Sequence, residues 1–157
     1  MTRERGNIVL GGKSFVMKKI LVIEDNAIVR NTMMRILQTA GYTVITANDG
    51  LEGVNQFRKE MPDLVISDII MPQQEGIGTI RQILAEYPGT KIIAISGGGR
   101  IGNTDFLQIA RKMGAIDALP KPFDPDDLLG RISNCLKAAE ITLTAWPPST
   151  GRTTPLR

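Results

Sequence analysis

Five side chains in this sequence could work together as chemistry: three carboxylates, one hydroxyl and one lysine. Glu24 and Asp25 directly follow the aliphatic run ILVI at 20–23, and Asp68 closes the run LVIS at 64–67. Ser96 ends IIAI at 92–95, and Lys121 follows DALP at 117–120. Each has an ordinary explanation on its own. An Asp or Ser at the end of a strand is usually a helix cap or turn former, and a lone Lys is usually solvated. Two adjacent acids at the end of an apolar run are harder to explain, because they repel each other unless a cation shares them. A hard divalent ion such as Mg2+ binds through a few carboxylates and keeps several waters. Metal-assisted phosphoryl transfer needs positioning and charge neutralisation more than covalent help. A carboxylate nucleophile would then yield an acyl phosphate. Lys121, Mg2+ and the Ser96 hydroxyl could each take one phosphoryl oxygen.

The elements that must bring these residues together are legible as alternating patterns. The runs KILVIE, TVITA, DLVIS, KIIAIS and DALP are short and rich in β-branched residues, as in strands buried on both faces of a parallel sheet. Helical periodicity fills the gaps. Val29, Met33, Ile36, Leu37 and Ala40 share one face, and Gly41 supplies a stop. Helices are predicted over 50–60, 76–86 and 105–113, the first two ending before Pro62 and Pro88. Asp124 or Pro125 opens a last helix whose stripe is Leu128, Leu129, Ile132, Leu136 and Ala139. Five strands alternating with five helices predict an α/β domain, a doubly wound five-stranded parallel sheet, over residues 18–139. Ligands of such sheets sit outside the carboxyl ends of the strands, where all five candidate side chains fall.

Composition sets the outer bounds. With 157 residues, 42% hydrophobic and 22% charged, the chain reads as one soluble domain with tails. It has no histidine, so His-based catalysis and His-ligated zinc are excluded, and the single Cys135 excludes an internal disulfide. A lone cysteine fits the reducing cytoplasm. No signal peptide or membrane span is read, and a cytoplasmic location is expected. The net charge of +3 is carried by the ends, leaving residues 20–140 acidic, so direct nucleic-acid binding is not expected. Residues 1–17 are read as an N-terminal extension without structure, because MKK at Met17 looks like a natural start. Residues 140–157, rich in Pro, Thr and Gly, are read as a disordered tail too short for a helix-turn-helix output domain.

Three competing motifs fail on spacing. GGGRIG at 97–102 satisfies a dinucleotide fingerprint but follows the fourth strand instead of the first. GGKS at 11–14 has Asn7 where a phosphate-binding loop needs its first glycine. A haloacid-dehalogenase-type phosphatase would want an Asp two residues after Asp68, and Ile70 stands there.

In four ordered stretches the chain resembles the receiver domain of bacterial two-component response regulators, of the single-domain type. LVIEDN matches the acidic pair, and DLVISDIIMPQQEG the phosphoacceptor stretch with its Met-Pro and Gly76. IIAISG matches the strand with its Ser or Thr, and LPKPF carries the lysine. The resemblance covers residues 18–139 and implies a flavodoxin-like receiver fold. It further implies Asp68 as phosphoacceptor, and Mg2+ or Mn2+ held by Asp25, Asp68, the Ile70 carbonyl and Glu24. Lys121 and Ser96 would stabilise the phosphoryl group, with a cis bond before Pro122. The implied partner is a histidine kinase or phosphotransfer protein, with signalling by protein contact and no membrane. The only catalysis implied is of the chain's own aspartyl phosphorylation and dephosphorylation. The alternative is a pseudo-receiver, an interaction module that works without phosphate. Two features depart from the family pattern. The aromatic expected three residues before the lysine is Ala118, and the loop after Ser96 opens with Gly97, Gly98 and Gly99. The expected switch is therefore a rearrangement of that loop.

Overall fold

The computed structural model describes residues 7–10, 13–69, 75–97 and 103–144. Strands β3 (Lys19–Ile23), β4 (Thr43–Ala47), β5 (Leu64–Asp68), β6 (Ile92–Gly97) and β7 (Asp117–Lys121) form one sheet in the order β4-β3-β5-β6-β7. All four pairings are parallel. Helices α1 (Ala27–Thr39), α2 (Gly50–Glu60), α3 (Glu75–Glu86), α4 (Asn103–Lys112) and α5 (Pro125–Thr144) make the connections. This is the doubly wound five-stranded sheet expected.

The three central strands, β3, β5 and β6, are buried on both faces, and their side chains alternate between two cores. Ile20, Val22, Leu64, Ile66, Ile93 and Ile95 meet Met33 and Leu37 of α1 and Leu128 and Ile132 of α5. Leu21, Ile23, Val65, Ile92 and Ala94 face the other way, against Val54 and Phe57 of α2, Ile80 and Ile83 of α3 and Ala110 of α4. Two helices thus cover one face and three the other. Burying each of these large aliphatic side chains contributes roughly 1.5–3 kcal/mol. The strands therefore read as continuous apolar runs, and polar residues are pushed to their ends.

Side-chain caps start the helices. The Asn26 carboxamide oxygen accepts from the Ile28 and Val29 N–H groups at 2.9 and 3.2 Å. The Asp49 carboxylate accepts from the Glu52 N–H, and the Glu52 carboxylate from the Asn48 N–H. Asp124 Oδ1 accepts from the Asp126 and Asp127 N–H groups, so Asp124 is the cap and Pro125 the first helical residue. Gly41 follows α1 at φ +92°, a left-handed conformation that side chains with a Cβ resist.

Two departures concern the ends. Residues 1–17 were expected to lack structure, yet β1 (Asn7–Leu10) and β2 (Lys13–Val16) pair antiparallel, Leu10 opposite Lys13. The β-forming runs NIVL and KSFV flank Gly11-Gly12, a two-residue hairpin signal that the basic composition of this stretch obscures. Helix α5 also continues through Thr144, past the boundary expected at 139. Its leucine and isoleucine stripe has no helix breaker until Pro147. Among the described residues no helix is long and apolar enough to cross a membrane.

Candidate functional site

The sheet order reverses beside β3: the chain leaves β3 for β4 on one side, then crosses to β5 on the other. The crevice at such a point lies at the carboxyl ends of the strands. Glu24 and Asp25 follow β3, and Asp68 ends β5, its immediate neighbour. One carboxylate oxygen from each of the three comes within 4.8 Å of the other two. Glu24 and Asp68 are buried, while Asp25 is exposed.

Lys121 ends β7, which is separated from β5 by β6. Its Nζ nevertheless reaches across to donate to Glu24 Oε2 at 2.6 Å and Asp68 Oδ2 at 2.8 Å. The other Glu24 oxygen, Oε1, accepts from the Asn26 N–H at 3.1 Å. Burial pushes the Glu24 carboxyl above its usual value, and the bonds from Lys121 and Asn26 offset this only in part. For Lys121, burial pulls the ammonium down. Its bonds to Asp68 and Glu24 outweigh that pull and hold it above the usual lysine value. The lysine is therefore a fixed positive charge at neutral pH.

Ser96 is buried next to this group, since Asp68 pairs with Ile95, and Ser96 with Pro120. The Ile69 N–H donates to the Ile95 carbonyl, holding β5 and β6 together one residue beyond Asp68. Gly76, at the start of α3, is buried against the end of β5. A Cβ there would overlap the Asp68 carbonyl oxygen and lie 2.8 Å from Ile69 Cα. The bond between Lys121 and Pro122 is cis, as expected.

Glu24, Asp25, Asp68, Ser96 and Lys121 thus gather at one edge of the sheet. Ile70, Gly98 and Gly99 lie outside the described residues. Gly97 pairs with Lys121 at the exposed end of β6. Ala118 is buried opposite Ala94, on the face covered by α4. Sequence reasoning missed Arg30. Its Nη1 donates to the carbonyls of Glu24 at 2.8 Å and Asp25 at 3.3 Å. The available signal was its place in the first turn of the helix that follows the acids, next to the apolar stripe position Val29.

The chain matches the response regulator receiver domain over residues 20–133. It is 33% identical over 122 residues to the chemotaxis protein CheY of Listeria monocytogenes, covering 77% of this chain and 100% of that one. It is 36% identical over 135 residues to the probable transcriptional regulator ycf27 of Pyropia yezoensis, covering 85% of this chain and 54% of that one. The chain spans about half the length of the ycf27 regulators it matches. Among solved structures, it resembles a receiver domain protein from Clostridium thermocellum with a TM-score of 0.72 and 30% identity, over 80% of this chain and 99% of that one. A CheY-like receiver domain protein from Methanospirillum hungatei gives a TM-score of 0.72 at 28% identity, over 80% and 98% of the two chains. The matched span holds the whole sheet but its first residue, the acidic cluster and the bridging lysine, and the chain belongs to the response regulator receiver domain family of two-component systems.

Proposed function

We propose that this chain accepts a phosphoryl group on Asp68 from a histidine kinase or phosphotransfer protein and signals through protein contact in the cytoplasm. The observation that carries this reading is Lys121 Nζ placed between Glu24 and Asp68, a fixed cation beside a buried carboxylate. In the transfer, an Asp68 carboxylate oxygen forms a bond to phosphorus while the bond from phosphorus to the donor's imidazole nitrogen breaks. The nitrogen keeps the electron pair and takes a proton from solvent. Lys121 is in place to meet negative charge on the phosphoryl oxygens, and Ser96, at the end of the neighbouring strand, is assigned to hydrogen-bond another.

Three convergent carboxylates make an all-oxygen donor set that suits Mg2+ or Mn2+. Asp25 and Asp68 would hold the ion with the Ile70 carbonyl, and Glu24 would reach it directly or through water. The ion would supply neutralisation of the charge on the acids and the phosphoryl group. Nothing beyond self-phosphorylation and dephosphorylation is assigned as catalysis.

The test is to mix the purified chain with Mg2+ and a small phosphodonor such as acetyl phosphate, then weigh it. One added phosphoryl group is expected, and none on Asp68→Asn, whose amide is isosteric and should fold. Stable labelling of Asp68→Asn would overturn the assignment.

A further inference from the structure

We propose that Arg30 is a positioning residue for the cation, acting through the main chain of Glu24 and Asp25. This rests on the metal reading above. Glu24 and Asp68 are each fixed through their carboxylates, by Lys121 and, for Glu24, by the Asn26 N–H as well. Asp25 differs. Its side chain is exposed, and no described residue donates a hydrogen bond to its carboxylate. Where that carboxylate stands is therefore set by the backbone that carries it.

That backbone is clamped from one side. A single guanidinium nitrogen of Arg30 takes both consecutive carbonyls, Glu24 at 2.8 Å and Asp25 at 3.3 Å. Successive carbonyls of an extended strand point to opposite sides, so two that share one donor define a turned chain. Arg30 is anchored in its turn, because its N–H donates to the Asn26 carbonyl at 2.9 Å in the first turn of α1. Asn26 caps the same helix, and the Glu24 N–H bonds to the Ala47 carbonyl on β4. The half-buried arginine thus ties the turn carrying Asp25 to a helix that is itself packed on the sheet.

The sign of the effect separates positioning from simple charge. If the guanidinium acted only as a nearby positive charge, removing it would tighten binding of a divalent cation. If it holds the carbonyls, removing it lets Asp25 drift and binding weakens.

The experiment titrates the full chain with Mg2+ alone, by calorimetry and by the rise of the melting temperature. Arg30→Met is expected to weaken Mg2+ by about 10-fold, the low end for residues that orient metal ligands. Arg30→Lys, which keeps charge and a donor, should fall between Arg30→Met and the parent. The phosphorylation rate of Arg30→Met should recover towards the parent's at saturating Mg2+, which a general loss of structure would not allow. Parent chain without saturable Mg2+ binding would refute the metal reading itself. Parent binding with Arg30→Met equal or tighter would refute the role of Arg30, as would Arg30→Lys no better than Arg30→Met. Should Arg30→Met not fold, Arg30→Gln replaces it, with the same weakening expected and unchanged affinity overturning the proposal.

Discussion

Lys121 Nζ lies 2.6 Å from Glu24 Oε2, although the residues are 97 apart in the chain and their strands are not neighbours in the sheet. The contact closes the acidic crevice with a positive charge. Glu24 is 0% exposed, and a carboxylate in that position is tolerated only because both of its oxygens accept hydrogen bonds.

Removing the lysine should expose that dependence. Lys121→Met leaves Glu24 buried without its cation, and breaking such a pair costs about 3–5 kcal/mol at neutral pH. The sign with pH follows from Glu24. Its folded value is raised above the usual 4.5, so its contribution is fully present below 4.5 and lost as pH rises through the folded value. Without Lys121 the folded value climbs further, and the loss relative to the parent should shrink in acid. Urea unfolding of both proteins between about pH 4 and 8 measures it. Adding Glu24→Gln to Lys121→Met should restore part of the stability at neutral pH, because Asp68 is then the only buried carboxylate of the cluster that has lost its lysine. A deficit that is the same at every pH would refute this account.

Asp25 should behave in the opposite way. It is exposed and holds no ion pair among the described residues, so Asp25→Ala should change metal-free stability by no more than about 0.5 kcal/mol. The stabilisation that Mg2+ confers grows with occupancy, and it should fall sharply in this variant. Melting curves with and without Mg2+ decide the matter; an undiminished Mg2+ response would remove Asp25 from the cation site.

The acids, the serine and the lysine were legible because apolar runs mark strands, and strand ends in a doubly wound sheet converge on one edge. Their partners were not. That Lys121 reaches Glu24 as well as Asp68 depends on the distance spanned across β6, which no local pattern encodes. Nothing local marks Glu24 as buried, with one oxygen taken by the Lys121 ammonium and the other by the Asn26 N–H. Arg30 sits beside a helical stripe, and its bond to the turn behind it depends on a side-chain conformation. The β1–β2 hairpin was written in Gly11-Gly12 between two β-forming runs, but its basic surroundings argued for a loose extension.

Gly76 is predicted to be intolerant for a steric reason. A Cβ at this position would press on the Asp68 carbonyl and Ile69 Cα, both of them backbone, so neither can give way by a rotamer change. Gly76→Ala should displace α3 from β5 and cost about 1–3 kcal/mol, in line with other overpacked sites. It should also slow phosphorylation, because Asp68 moves with its carbonyl. Gly78, whose added Cβ would meet nothing within 4 Å, is the control. Gly78→Ala should match the parent in phosphorylation rate and be equal or better in stability. Equal effects of the two substitutions would rule out the close approach as the cause.

Ala118 is where related receivers were expected to carry an aromatic ring, and the packing around it speaks against room for one. It is 2% exposed and pairs with Ala94 across β6 and β7. Ala110 of α4 and Ala115 belong to the same buried cluster, and α4 packs directly against β7. Helix α4 can then lie close over β7, and a ring at 118 would have to push it away. Ala118→Tyr should therefore destabilise the chain by about 1–3 kcal/mol or more. It should not simply restore a mobile ring. If α4 yields, amide exchange in residues 103–112 should speed up in the variant relative to the parent, with little change in α1 on the opposite face. Urea unfolding and amide exchange on the two proteins test both halves. An Ala118→Tyr chain as stable as the parent, with α4 protected as before, would mean that the ring has space and that the packing of Ala118 places no limit on the switch.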